Sequence, residues 1–169
     1  MKSWLFMAVA SALVASNALA DDGANFVNGD WIGTGSFQMG DQISACSEVK
    51  MRFGGSKTGY EVHEASMICG NGPKQEFKEF AFFSIGDDGQ ISFDHGTAKN
   101  LAKGTHVGTV KDNKLRTINP IEGSSVDDIS MQKAGDFLIY NQIAGVPGAT
   151  PDYSLMAIMK KDPSAAVKP

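Results

Sequence analysis

The chain has 169 residues, a formal net charge of −4 and only two arginines, Arg52 and Arg116. No lysine cluster exceeds Lys160-Lys161, so the concentrated basic surface that displaces counterions from nucleic acid is missing, and nucleic-acid binding is excluded. Beyond its N-terminal stretch the sequence holds no apolar run near the roughly 20 residues of a spanning helix.

The N-terminus reads as an export signal over residues 1–20. Met1-Lys2 supplies the positive start, an apolar run from Trp4 to Ala15 follows, and Ala18-Leu19-Ala20 places small residues where a signal peptidase reads. Asp21-Asp22-Gly23 ends the apolar character, so cleavage is expected between Ala20 and Asp21, with the product in the periplasm or outside the cell. No cysteine lies near residue 20, which excludes lipoprotein-type attachment. The remaining chain, about 150 residues, suits one domain with a real core, expected over 21–161, with 162–169 as a disordered tail.

The expected strands are short, alternating and separated by glycine, asparagine and aspartate turns. Trp31 to Met39 comes first, with Trp31, Gly33, Gly35, Phe37 and Met39 on one side. Ser44 to Phe53 and Tyr60 to Cys69 flank a glycine-rich turn. A hairpin centred near Lys57 sets Cys46 opposite Cys69, as an exported chain with two cysteines favours. The same register turns Val49, Met51 and Phe53 toward Ile68, Ser66, Glu64 and Val62, and puts His63 opposite Arg52 on the solvated face. There is no C-x-x-C and no histidine beside either cysteine, which argues against a metal or redox pair.

Phe77 to Ile85 turns at Gly86-Asp87-Asp88-Gly89 and returns as Gln90 to Asp94. The only place for a helix, a short one, is Thr97 to Lys103. Thr105 to Val110 turns at Asp112-Asn113 into Lys114 to Ile118, and Val126 to Gln132 turns at Ala134-Gly135-Asp136 into Phe137 to Ile143. Tyr153 to Met159 is the last strand. The order predicts an all-β fold, an antiparallel up-and-down barrel of about eight to ten strands. A two-sheet sandwich is the alternative, although the long crossovers it tends to need are not evident. The end of the chain lacks the aromatic terminus common in outer-membrane barrels, and the apolar faces are too interrupted for lipid along every strand, so a transmembrane barrel is not expected.

Gly29-Asp30-Trp31, opening the first strand, resembles the G-x-W motif of the lipocalin and calycin barrels. In those families this tryptophan plugs one barrel end, and the resemblance implies an internal pocket for a small, usually apolar ligand. Thr150-Pro151-Asp152-Tyr153 is similar to the lipocalin T-D-Y turn, with Pro151 interrupting it. The arginine that lipocalins set late in the chain against the tryptophan has no counterpart, since none follows Arg116. Calycin-like haem proteins carry their haem histidine toward the C-terminus, and none follows His106.

Chemistry-bearing patterns are sparse. His63, His95 and His106 lie on three separate segments without the close pairing a zinc site uses, Asp87-Asp88-Gly89 lacks calcium-loop spacing, and Asp127-Asp128 reads as a solvated loop. No G-x-S-x-G elbow occurs. Neither an enzyme nor a metal or cofactor site is expected. The richest feature is the aromatic set Phe77, Phe80, Phe82, Phe83, Tyr140 and Tyr153. It forms either a filled core or the wall of an apolar ligand cavity, in which Trp31, Phe80, Phe82, Tyr140 and Gln142 are the candidate contacts, with Asn141 as a further polar option. Gly33 and Gly35, leaving room beside Trp31, favour the cavity. Two functions follow: an exported barrel that binds a small apolar ligand, or a packed barrel that meets another protein of the cell envelope.

Overall fold

A computed structural model describes residues 23–78, 81–97 and 100–164. The expected signal peptide lies outside them, as does the tail beyond Ser164. Among the described residues, eleven strands follow a 3₁₀ turn, Asn25–Val27. They are β1 (Gly29–Met39), β2 (Gln42–Gly55), β3 (Gly59–Cys69), β4 (Gln75–Phe77), β5 (Ala81–Ile85) and β6 (Gln90–Gly96). The series continues with β7 (His106–Lys111), β8 (Lys114–Pro120), β9 (Val126–Ala134), β10 (Phe137–Gly145) and β11 (Tyr153–Lys161). Apart from β4, each strand pairs antiparallel with the one before it. β1 pairs with both β2 and β11, and β3 with β5, so ten strands close into an up-and-down barrel. The aromatic segment expected as one strand is split. β3 pairs through Gly59–Val62 with β5 and through Ala65–Met67 with β4, and Lys78 falls between the two short strands.

The turns behave as their residues require. Asp112 and Asn113 both take positive φ, 52° and 58°, the two-residue hairpin geometry that these side chains tolerate. At Asp87-Asp88-Gly89 the Asp88 carboxylate accepts from the Gln90 amide at 3.0 Å, which makes this segment a hairpin turn. Thr97–Lys103 is turn structure in its described residues, and Leu101 is buried in the core instead of sitting on a helix.

The β2–β3 hairpin carries the Cys46–Cys69 disulfide, with the two residues directly opposite each other. Two bulges, at Ser47 on β2 and His63 on β3, change the expected register. Val49 faces Met67 and Met51 faces Ala65, while beyond the second bulge Phe53 faces Val62 as expected. An extra residue rotates the following side chains to the other face, so Glu64 leaves the inner face and becomes the partner of Arg52 at 3.3 Å. His63 pairs instead with Glu61 at 3.1 Å.

One barrel end is closed. The 3₁₀ turn crosses it, touching β2 on one side and β9 on the other. Trp31 is 2 % exposed and its indole N–H donates to the Val27 carbonyl at 2.6 Å. Lys161, on the last strand, places its ammonium 4.1 Å from the centre of the Trp31 ring and donates to the Asn28 carbonyl. Above this plug the interior is filled by side chains. Phe53 and Tyr140 stack across the barrel at 6.3 Å, and Tyr60 stacks on Phe83 at 4.6 Å. Gly33 and Gly35 open no cavity. A Cβ on Gly33 would stand 2.0 Å from the Ile158 carbonyl oxygen, and one on Gly35 2.2 Å from that of Met156. The missing side chains let the β1 and β11 backbones approach, which consumes the room they leave.

Candidate functional site

At the end opposite Trp31 the inward-facing positions change character. Strand alternation and register bring together two successive rows of side chains. One row holds Asn119, Asp127, Ala144 and Tyr153, and the next holds Thr117, Ile129, Gln142, Leu155 and Phe37. Tyr140 and Met131 follow one step deeper. Toward Trp31 the inner face is apolar and closed to water: Leu138 and Met159 are both fully buried. Toward Tyr153, by contrast, Asp127, Ile129, Gln142 and Phe37 are only partly buried, so this end opens to solvent.

The polar members form a chain. Tyr140 donates its hydroxyl to Gln142 Oε1 at 2.8 Å. The Gln142 amide group donates to both oxygens of Asp127, at 3.0 and 3.1 Å, and to the Tyr153 hydroxyl at 3.0 Å. A carboxylate inside a barrel is costly unless hydrogen bonds compensate it, and Gln142 supplies two of them. Beside this chain stand Thr117 Oγ1 and Asn119 Oδ1, both buried, with the Asn119 oxygen lacking a hydrogen-bond partner. Burial pushes the Tyr60 hydroxyl well above the ordinary phenol range, a hydrogen bond with the Thr117 hydroxyl opposes the shift, and the charge of Asp127 adds a lesser upward contribution.

The candidate residues named from sequence divide three ways. Tyr140 and Gln142 are brought together by a hydrogen bond on the inner face of β10, while Asn141 between them points outward. Trp31 faces inward too, but forms the closed end, remote from the polar chain. Phe82 is turned out of the barrel, stacked on the His95 ring at 5.1 Å, and its neighbour Phe83 takes the inward position. Phe83 is in phase with the buried Ile85 and stands opposite the inward Tyr60 of β3. Phe80 lies outside the described residues. Phe77 is exposed.

Asp127 is the residue that sequence reasoning missed. It lies on a strand, not in a solvated loop, and its neighbour Asp128 faces out to a two-pronged pairing with Arg116 at 2.6 and 2.9 Å. The signal was its period-2 phase with Ile129 and Met131, both inward. Asn119 and Thr117 follow from the same alternation with Leu115 on β8.

Among the described residues no three His, Cys, Asp or Glu side chains gather as a metal-binding group, and no helix is long and apolar enough to cross a membrane. Compared with known protein families, curated proteins and solved structures, the chain matches none of them.

Proposed function

We propose that this protein is an exported, non-enzymatic binding module of lipocalin-like build. It takes a small, largely apolar molecule at the open end of its barrel, against Tyr140, Gln142, Asp127 and Tyr153. The observation that carries the reading is the inward, hydrogen-bonded polar chain at a solvent-open mouth, set on apolar walls. Ligand sites combine these two elements: apolar area for affinity and a few fixed polar groups for orientation. Trp31 under a 3₁₀ turn, with a last-strand cation over its ring, supports the lipocalin-like reading. Lys161 stands where the resemblance sets an arginine. The Cys46–Cys69 bridge supports an oxidising compartment, in keeping with release of the mature chain at Asp21.

Native mass spectrometry of the exported protein, followed by extraction, tests the reading. A bound small molecule is expected, as is saturable binding of an environment-sensitive apolar dye that Gln142→Ala weakens. If nothing co-purifies and no dye binds saturably, the binding reading is lost.

A packed barrel that meets another envelope protein is the second reading, and one surface favours it. Ile139, Met156 and Ile158 lie together and exposed on the outer face of β10 and β11, with Ile158 at 51 %. In that case Ile158→Lys leaves the barrel folded and abolishes capture of the partner, while Gln142→Ala has no effect on it.

A further inference from the structure

The chemistry of the open end discriminates between classes of ligand. Asn119 and Asp127 are direct register partners on β8 and β9, and Thr117 lies on the same inner face one step deeper. Neighbouring side chains in such positions have Cβ atoms about 5 Å apart, and diagonal ones about 7 Å. Thr117 is fully buried, with its hydroxyl set against that of Tyr60 and lone pairs still open to a further donor. The Asn119 side-chain oxygen, equally hidden, has no partner. A buried polar atom left without a hydrogen bond is costly, and the unanswered Asn119 oxygen, one step from a hydroxyl with spare lone pairs, marks a place where another molecule completes the bonding.

What that molecule presents follows from the atoms offered. An amide oxygen only accepts, so its missing partner is a donor. A threonine hydroxyl accepts as readily as it donates. The third group in reach is the Asp127 carboxylate, whose charge reaches Tyr60. Oxygen acceptors around a negative charge suit a compact head with several N–H donors and a positive charge, and they repel a carboxylate or phosphate head. The neighbouring walls, Phe37, Ile129 and Leu155, fit an apolar body behind that head.

We infer that the ligand is a cationic amphiphile, a protonated primary amine on an apolar body, whose ammonium donates to Asn119 Oδ1 and Thr117 Oγ1 beside Asp127. This rests on the binding reading above and assigns its ligand class. A bridging water is the competing occupant of the same atoms, because a small polar space with several partners holds water well.

Three probes of one chain length separate the outcomes: octylammonium, octanol and octanoate. They are titrated by calorimetry into the purified exported protein at neutral pH and constant ionic strength, with the Asn119 side-chain amide followed by NMR. The ammonium is expected to bind about tenfold or more tighter than octanoate, with octanol between them, and to shift the Asn119 amide signal. Asn119→Leu is expected to remove most of the advantage of ammonium over octanol while changing octanol affinity by less than about twofold. Asp127→Asn, where it folds, narrows the gap between ammonium and octanoate. If octanol or octanoate binds as well as the ammonium, or the Asn119 signal stays put at saturation, the head-group assignment is overturned while the binding reading stands. If none of the three binds to folded protein and the dye fails as well, the binding reading falls and takes this inference with it.

Discussion

Single side chains at the two barrel ends are set to opposite tasks. At the closed end the exposed Lys161 lies over the Trp31 ring, an arrangement worth about 0.5–1 kcal/mol at an exposed site. Lys161→Met keeps the stem and loses the charge, and is expected to lower unfolding free energy by about 1 kcal/mol in urea titration. Deeper inside, Tyr60 stays protonated beyond the pH at which an exposed tyrosine ionises, because burial disfavours the phenolate and Asp127 adds to that effect. Its folded value is raised, so its contribution is fully present below about pH 10, the unfolded value, and is lost as pH rises toward the folded one. Above about pH 10 stability is expected to fall by about 1.4 kcal/mol per pH unit from this group alone. Tyr60→Phe should flatten that limb by one proton in denaturation curves taken across the alkaline range. Phe82 and Phe83 differ only in phase: Phe83 alternates inward with Ile85 and meets Tyr60 of β3, while Phe82 turns out.

Among the elements, the β2–β3 hairpin holds the strongest local constraint. Its bridge, 23 residues apart in sequence, limits the unfolded chain by about 3 kcal/mol in the loop-entropy account. The paired Cys46→Ala and Cys69→Ala variant is expected to lose about that much in thermal or urea unfolding. The bridge was legible because an alternating hairpin puts both cysteines at one level. The bulges at Ser47 and His63 were not, since an extra residue in a ladder leaves no mark in composition. The β7–β8 turn offers a gain. Both of its central residues have positive φ, so Asn113→Gly relieves a left-handed conformation and is expected to raise stability by about 0.5–1 kcal/mol. On β9 the misreading was of a different kind. Asp127-Asp128 looks like a polar loop, yet the strand runs through it, with one carboxylate answered by Arg116 outside and the other by Gln142 inside.

At the level of the whole molecule, closure determines what the glycines do. Gly33 and Gly35 read along the strand as space beside Trp31, and in the closed barrel that space is occupied by β11. Gly33→Ala and Gly35→Ala are each expected to destabilise by about 3 kcal/mol or more, or to leave the protein insoluble, whereas a true cavity would accept the added methyl. Denaturant midpoints of the two variants decide between these outcomes.

The sequence by itself determined the strand series, the positions of its turns, the disulfide and the all-β up-and-down order, because alternation, turn chemistry and cysteine placement are local properties of consecutive residues. It also indicated Tyr140 and Gln142, two inward positions of one strand. Tertiary structure alone decided which end of the barrel is plugged, which phenylalanine faces inward, and that Thr117, Asn119, Asp127 and Gln142 meet at the open end. These four come from three consecutive strands, β8, β9 and β10, whose unbroken register sets them on two adjacent rows, and only closure of the sheet turns those rows into the lining of one solvent-open end.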